Sequence, residues 1–484
     1  MLFIVKFFPE ITIKSRPVRQ RFTRQLRENL RTLLVPIDPQ IEIKKYWDKL
    51  EVISQFTSRE DCNKISNVLS HTPGIANFML VKDYPLENLH DIYEKAKSAY
   101  ENTLAGKTFV VRCRRNGNHD FTSLDVERYV GGGLNQHTEA LRVQLKDPDV
   151  TVLIEIRGDR YFIIEKVFPG LGGFPLGSQE AVISLISGGF DSAVASYLTM
   201  RRGLRTHFCF FNLGGRAHEI AVKQVAYFLW SKYGASHRVK FIAIPFEEVV
   251  AEILQNVENS QMGVILKRMF LRAAAEMAEQ LSVQALVTGE SVAQVSSQTL
   301  PNLSVIDSVT DTLVLRPLIT SDKQDIINLA IEIGTEEFSK NIPEYCGVIS
   351  VKPTTRAKRD KIVREEEHFD FSVLQRAIER AVMTNIDELA ADLGSPTDEL
   401  DIRSELDTMA VIIDIRHPTE EELNPLKHNS NEIVRIPFYE LAARFTVLTT
   451  TKHYYLYCEK GVMSQLQAVN LIDAGFKNVG VYRP

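Results

Sequence analysis

The densest chemistry in the chain lies in residues 182–192, Val-Ile-Ser-Leu-Ile-Ser-Gly-Gly-Phe-Asp-Ser. An apolar run that reads as a buried strand ends in Ser187-Gly188-Gly189, and a helical pattern begins near Asp191. Two glycines let backbone N–H groups approach an anion with no Cβ in the way, and the helix N-terminus adds partial positive charge. The hydroxyls of Ser187 and Ser192 can donate to phosphate oxygens. Asp191 would repel a bare phosphate, which suggests a metal ion, Mg²⁺, beside it. No Gly-Lys-Ser/Thr follows, so this is not a Walker A loop. A second signal is residues 454–464, Tyr-Tyr-Leu-Tyr-Cys-Glu-Lys-Gly-Val-Met-Ser, again a strand, a short loop and a helix. Cys458 falls at the strand's C-terminal end, where loop amides, the helix dipole and Lys460 are expected to lower its thiol pKa. A buried structural cysteine is the ordinary alternative, but a cysteine leading a loop into a helix makes poor core material. The third signal is basic. Arg24, Arg27 and Arg31 recur at i, i+3, i+7, which fits a solvated helix face and a phosphate-contacting stripe equally.

These residues need elements to hold them. Val18, Phe22, Leu26, Leu30 and Leu33 have helical spacing, after a strand-like start and before a strand near Ile41–Ile43. Residues 109–115 alternate apolar and basic, as a half-buried strand does. Arg112 and Arg114 then share one face, with Arg115 and His119 beside the following turn. Residues 1 to about 168 read as one or two small α+β modules with a basic surface. Glycines and prolines in 169–178 mark a boundary. Beyond it, strands at 182–186, 207–212, 239–244 and 284–288 alternate with helices over roughly 190–202, 217–232 and 246–281. That alternation predicts βαβ units and a doubly wound parallel sheet with helices on both faces. An acidic, weakly apolar stretch at 392–399 precedes a last α/β segment, with strands near 410–413 and 453–457 and a helix after Gly461. Residues 392–410 read as a linker and 417–432 as a surface loop.

The chain has 484 residues, of which 44% are hydrophobic and 25% charged, which suits two to four globular domains. The formal net charge of −5 hides an asymmetry. Residues 1–50 carry eleven Lys and Arg against five Asp and Glu, whereas residues 361–484 carry thirteen against twenty-one. A basic head and an acidic tail suggest a polyanionic partner at the N-terminus. Five cysteines in such a length make no disulfide framework and point to a reducing compartment, the cytoplasm. No apolar stretch reaches the ~18 residues of a membrane span, and the charged start is a poor secretory signal.

The string Ser187-Gly-Gly-Phe-Asp-Ser192 resembles the signature of the PP-loop ATP pyrophosphatases, which adenylate a carbonyl oxygen and release pyrophosphate. The loop at Cys458, with Asp414-Ile-Arg416 after a strand, resembles a rhodanese domain, whose loop amides stabilise a thiolate or persulfide. The whole chain resembles the tRNA 4-thiouridine synthetases of the long form with a C-terminal rhodanese domain. Matching strings include Phe8-Pro-Glu-Ile-Thr-Ile-Lys-Ser15, Phe210-Phe-Asn-Leu-Gly-Gly215, Gln261-Met-Gly-Val-Ile-Leu-Lys-Arg268, Thr288-Gly-Glu290 and Pro343-Glu-Tyr-Cys-Gly347.

The resemblance implies four domains: ferredoxin-like over 1–60, an RNA-binding THUMP domain over 63–167, the PP-loop domain over 170–390 and rhodanese over 406–484. The first two would grip the acceptor region of tRNA, and the basic residues read above from spacing and alternation, Arg24, Arg27, Arg31, Arg112, Arg114, Arg115 and His119, are the candidate contacts. ATP contacts carried over are Leu185, Ile186, Lys267, Gly289 and Gln298, beside the loop residues Ser187, Gly188, Gly189, Asp191 and Ser192. Asp191 and Lys323 map to positions needed for adenylation, and Cys346 and Cys458 to a redox pair that forms a disulfide. On residues alone Cys346 reads as an ordinary semi-buried thiol. The implied reaction is adenylation of O4 of uridine 8 by ATP, then sulfur transfer from a Cys458 persulfide loaded by a cysteine desulfurase. A sulfur carrier of thiamine synthesis is a further implied partner. Two other readings are a PP-loop thiolase acting on another tRNA base, and a sulfur-carrying or RNA-binding adaptor without ATP chemistry. Thiolases built on iron–sulfur clusters need a Cys-x-x-Cys pair, and none of Cys62, Cys113, Cys209, Cys346 and Cys458 forms one.

Overall fold

The computed structural model describes residues 1–213, 215–340, 342, 352–389, 400–416, 418–428, 430–459 and 461–484. They form two compact units, Met1–Pro175 and Leu176–Pro484. Cys346, Lys460 and residues 392–399, on which several sequence expectations fall, lie outside the described residues.

The first unit is built on one eight-stranded sheet. Its strands are β1 (Leu2–Phe7), β2 (Glu42–Lys45), β3 (Lys49–Ile53), β4 (Ile75–Pro85), β5 (Thr108–Asn116), β6 (Arg142–Val143), β7 (Val150–Arg157) and β8 (Arg160–Gly172), in the order β2-β3-β1-β4-β8-β7-β5-β6. Helix Arg16–Leu34 buries Phe22, Leu26, Leu30 and Leu34, spaced four apart, so one face meets the sheet. These side chains share a core with Phe3, Val5, Ile65, Leu69 and Phe78. A second core gathers Phe109, Val111 and Cys113 of β5 with Val126, Val130 and Leu134 of helix Ser123–His137.

The second unit contains a six-stranded sheet of β9 (Ala181–Leu185), β10 (Arg205–Asn212), β11 (Lys240–Pro245), β12 (Ala285–Val287), β13 (Leu313–Leu315) and β14 (Val382–Asn385). The order is β13-β12-β9-β10-β11-β14, parallel except for β14, which runs antiparallel to β11. From β9 the chain builds outward through β10 and β11, then crosses back to β12. The strand order therefore reverses between β9 and β12, and a crevice opens at the C-terminal ends of such a pair. The helix expected over 246–281 is two helices, Glu247–Asn256 and Met262–Gln280. Val257 breaks it with extended backbone, and the Glu258 N–H donates to the carboxylate of Glu365 at 2.8 Å instead of to a helical carbonyl.

A third sheet comprises β15 (Ile402–Arg403), β16 (Val411–Asp414), β17 (Glu432–Arg435), β18 (Tyr454–Tyr457) and β19 (Val479–Tyr482). All its pairings are parallel, in the order β15-β19-β18-β16-β17, so its own reversal lies between β16 and β18. Two stretches expected to be irregular contribute structure: residues 402–403 add an edge strand, and Pro418–Leu423 is helical. This third sheet's layer packs on helix Gly215–Leu229. Gln467 Nε2 donates to Gln224 Oε1 at 3.2 Å in a buried contact, Arg216 pairs with Asp473 at 3.0 Å, and Phe438 stacks on Phe338 with ring centroids 4.2 Å apart.

Candidate active site

The loop after β9 lies at the first reversal point. Gly188 takes a φ of +84°, and a Cβ there would come within 2.5 Å of Ile342 Cδ1, so both backbone and space call for glycine. The Ser187 N–H donates to Ser192 Oγ at 3.2 Å, and Ser192 Oγ donates to the Gly189 carbonyl at 3.0 Å. These bonds fold the loop tightly onto the start of helix Phe190–Arg201. Asp191 is held at both oxygens. Lys323 Nζ donates to Oδ1 at 2.8 Å and Gln294 Nε2 donates to Oδ2 at 2.7 Å.

Beside the loop is a cavity of about 190 Å³. Leu185, Phe270, Leu271 and Ile306 give it an apolar wall, and Ser187, Asp191, Ser192, Lys267, Thr288, Glu290 and Gln298 a polar one, with Gly289 between. Gln298 is buried, and among the described residues its Oε1 has no hydrogen-bond partner. A buried amide oxygen without a partner is costly unless a ligand supplies the donor. Lys267 Nζ donates to Glu290 Oε1 at 2.6 Å, and Arg316 Nε donates to Glu290 Oε2 at 2.8 Å. Burial pushes the Glu290 carboxyl up, but Lys267 and Arg316 outweigh it and hold the group below its ordinary range. Of the expected nucleotide contacts, Leu185, Ser187, Asp191, Ser192, Lys267, Gly289 and Gln298 line this cavity. Ile186 continues the strand, its N–H donating to the Cys209 carbonyl at 2.8 Å, and Gly188 and Gly189 shape the loop behind it. Lys323 reaches the cavity through Asp191.

Cys458 occupies the second reversal point, at the end of β18, opposite the buried pair Asp414–Arg416 at the end of β16 (2.6 Å). The thiol is free. The Ser464 N–H donates to its sulfur at 3.3 Å, and its S–H faces Ser464 Oγ at 3.4 Å. The expected lowering of this pKa is not found. Burial raises it, more than the Ser464 hydroxyl and the N–H groups of Ser464, Gly461 and Met463 lower it. A dipole's effect is local, whereas desolvation penalises the whole charge.

On the first unit, Arg24 and Arg31 are exposed, and Arg27 pairs with its neighbour Glu28 at 2.8 Å. Arg112 and Arg114 are exposed on one face of β5, with Arg112 3.5 Å from Glu127. Arg115 and His119 face each other at 3.0 Å, and His119 Nε2 meets the Gly158 carbonyl at 2.6 Å, so both tie down a turn.

Known proteins give these features a common origin. Residues 2–79 match the family model of the ThiI ferredoxin-like domain, 87–164 that of the THUMP domain, and 177–371 that of "Thiamine biosynthesis protein (ThiI)". Over all 484 residues of both chains, the protein is 55% identical to the tRNA sulfurtransferase of Saccharophagus degradans. The chain belongs to the tRNA sulfurtransferase family. Other tRNA sulfurtransferases, from Pseudomonas putida and Escherichia coli O157:H7, are 54% and 53% identical over the full length of both chains. A crystal structure of a 4-thiouridine synthetase–RNA complex with bound ATP has the same fold, with a TM-score of 0.70 at 24% identity over 79% of this chain and 99% of that one.

At this site, sequence reasoning missed Glu290 and Arg316, although Glu290 closes the string Thr288-Gly-Glu290. A carboxylate just past a strand's C-terminal end at a reversal point was the available signal. Gly289 explains itself by closeness: a Cβ there would lie 2.5 Å from the Asp191 carbonyl carbon and 2.7 Å from the Ser192 nitrogen. Gly289→Ala is expected to push the start of the helix away from the cavity. An ångström of misplacement can cost about a hundredfold, so ATP-dependent turnover should fall on that scale. Activity within twofold of the parent would show that this packing does not matter.

Proposed function

We propose that the chain uses ATP to transfer sulfur to tRNA, converting uridine 8 to 4-thiouridine. The observation that carries this reading is the pairing of two sites in one unit: an anion-cradling loop at one sheet's reversal point, and a free cysteine at another's. Uridine O4 is a poor leaving group. Its attack on the α-phosphorus of ATP forms an adenylated base and releases pyrophosphate. The loop N–H groups, Ser187 and Ser192 stabilise the departing charge, a preorganised electrostatic task, while Lys267 holds the bound polyphosphate. Lys323 and Asp191 orient the reacting groups.

The second half begins with Cys458 carrying a persulfide, loaded by a cysteine desulfurase. Its terminal sulfur attacks C4, and AMP leaves. The thiol of Cys346 then attacks the Cys458 sulfur, breaking the sulfur–sulfur bond, freeing 4-thiouridine and leaving a Cys346–Cys458 disulfide for an external thiol to reduce. The rhodanese assignment of the third sheet rests on its parallel topology and the Cys458 loop. The matched thiamine-biosynthesis family supports a second role as sulfur donor to a thiamine-pathway carrier protein.

Magnesium would accompany the nucleotide, taking most of its ligands from phosphate oxygens and water, with Asp191 as the one carboxylate at the loop that would hold it. Both oxygens of Asp191 already accept from Lys323 and Gln294. Among the described residues no three His, Cys, Asp or Glu side chains cluster to hold a metal ion.

Pyrophosphate exchange into ATP that depends on unmodified tRNA tests the activation step. Exchange without tRNA, or none with it, would refute it. RNA binding is assigned to the first unit. Because Met1–Pro175 is compact by itself, a fragment ending at residue 175 should bind tRNA in low salt and lose affinity steeply as salt rises. Replacing Arg112 and Arg114 together should flatten log K against log salt by about two, roughly one for each phosphate no longer neutralised. A fragment that fails to bind in low salt would overturn the assignment.

A further inference from the structure

Four charges run in a row from the wall of the cavity, where Lys267 and Glu290 stand, to Arg316 and Asp307 beyond it. Lys267 meets Glu290 Oε1 at 2.6 Å, Arg316 Nε meets Glu290 Oε2 at 2.8 Å, and the two Arg316 Nη atoms meet Asp307 at 2.9 and 2.6 Å. Thr288 Oγ1 adds a bond to Glu290 Oε2 at 3.1 Å. Signs alternate along the row, and each carboxylate oxygen of Glu290 is accounted for. The carboxylate is thus fixed from behind by Arg316 and Thr288, and its remaining bond goes to a lysine that lines the cavity.

We propose that Glu290 is a positioning residue for ATP and acts through Lys267. This rests on the reading of the cavity as the nucleotide site. A lysine ammonium on a four-carbon stem is a mobile point charge with three donors. Glu290 takes one of them, fixes the stem in a single arrangement and leaves two donors for phosphate oxygens. Its charge also compensates the cost of burying the ammonium while no phosphate is present. Arg316 and Asp307 complete the row, so that Glu290 presents no uncompensated negative charge to an incoming polyphosphate.

The test is a double-mutant cycle in the full-length chain, with ATP as the probe and binding read by calorimetry. Lys267→Met should weaken ATP binding. Glu290→Gln should weaken it about tenfold, the scale of one charge-assisted hydrogen bond, and should raise KM for ATP far more than it lowers kcat. In the Lys267→Met background, Glu290→Gln should change ATP affinity by less than twofold. Thermal melting checks each variant's fold, and Glu290→Asp replaces Glu290→Gln in the cycle if the latter does not fold. An equal loss in both backgrounds would overturn the inference, because Glu290 would then act by supporting the fold around Arg316. Unchanged ATP binding by Lys267→Met would overturn the nucleotide reading of this wall, and the inference with it.

Discussion

Cys458→Ser is expected to abolish 4-thiouridine formation while tRNA-dependent pyrophosphate exchange continues. Cys458 sits at the reversal point of the third sheet, a different sheet from the one that carries the Ser187–Ser192 loop, so its removal should leave the proposed activation chemistry in place. A serine hydroxyl cannot carry a persulfide, and loss of a covalent nucleophile costs on the order of 10³-fold or more. The fold should tolerate the change, since Ser464 can bond an oxygen as it bonds the sulfur. The raised thiol pKa adds a second readout. Alkylation of Cys458 by iodoacetamide should still be accelerating with pH where an ordinary thiol has levelled off, because only the thiolate reacts. Thiolation by Cys458→Ser at a tenth of the parent rate, with desulfurase and cysteine as the sulfur source, would remove Cys458 from the pathway.

Asp191→Ala should reduce thiolation by about 10²- to 10³-fold, the scale of losing one preorganised electrostatic group. The deletion releases Lys323 and Gln294 together, because both bond the same carboxylate. Transfer-RNA affinity should stay within about twofold, since the basic residues belong to a different compact unit. Filter binding beside single-turnover assays separates the two quantities. Parallel loss of binding and turnover would refute the division of labour between the units.

What the sequence revealed depended on how local each cause was. The loop at Ser187–Ser192 was legible because two glycines between a strand and a helix leave few alternatives. The helix Arg16–Leu34 was legible because its buried residues recur every four positions. The break at Val257 was not, because the partner of the next N–H, that of Glu258, is Glu365, 107 residues away. The same holds for the charge row: Lys267, Glu290 and Arg316 come from three different elements, and only the sheet order brings them together. Cys458 shows the reverse failure. Its donors were foreseen from the loop, but the burial that outweighs them is supplied by the packing of the fold.

The long pairing of β4 with β8, from Ile75 opposite Gly172 to Pro85 opposite Arg160, has a consequence for how the first unit could be inherited. Modules joined by a linker can be exchanged between proteins one at a time. Here the ferredoxin-like strands hang on one side of this seam and the THUMP strands on the other. A gene that ended in the turn after β4 would encode a protein with an unpaired edge about as long as that strand, a ready template for aggregation. The two modules are therefore expected to be inherited together and to melt as a single cooperative block.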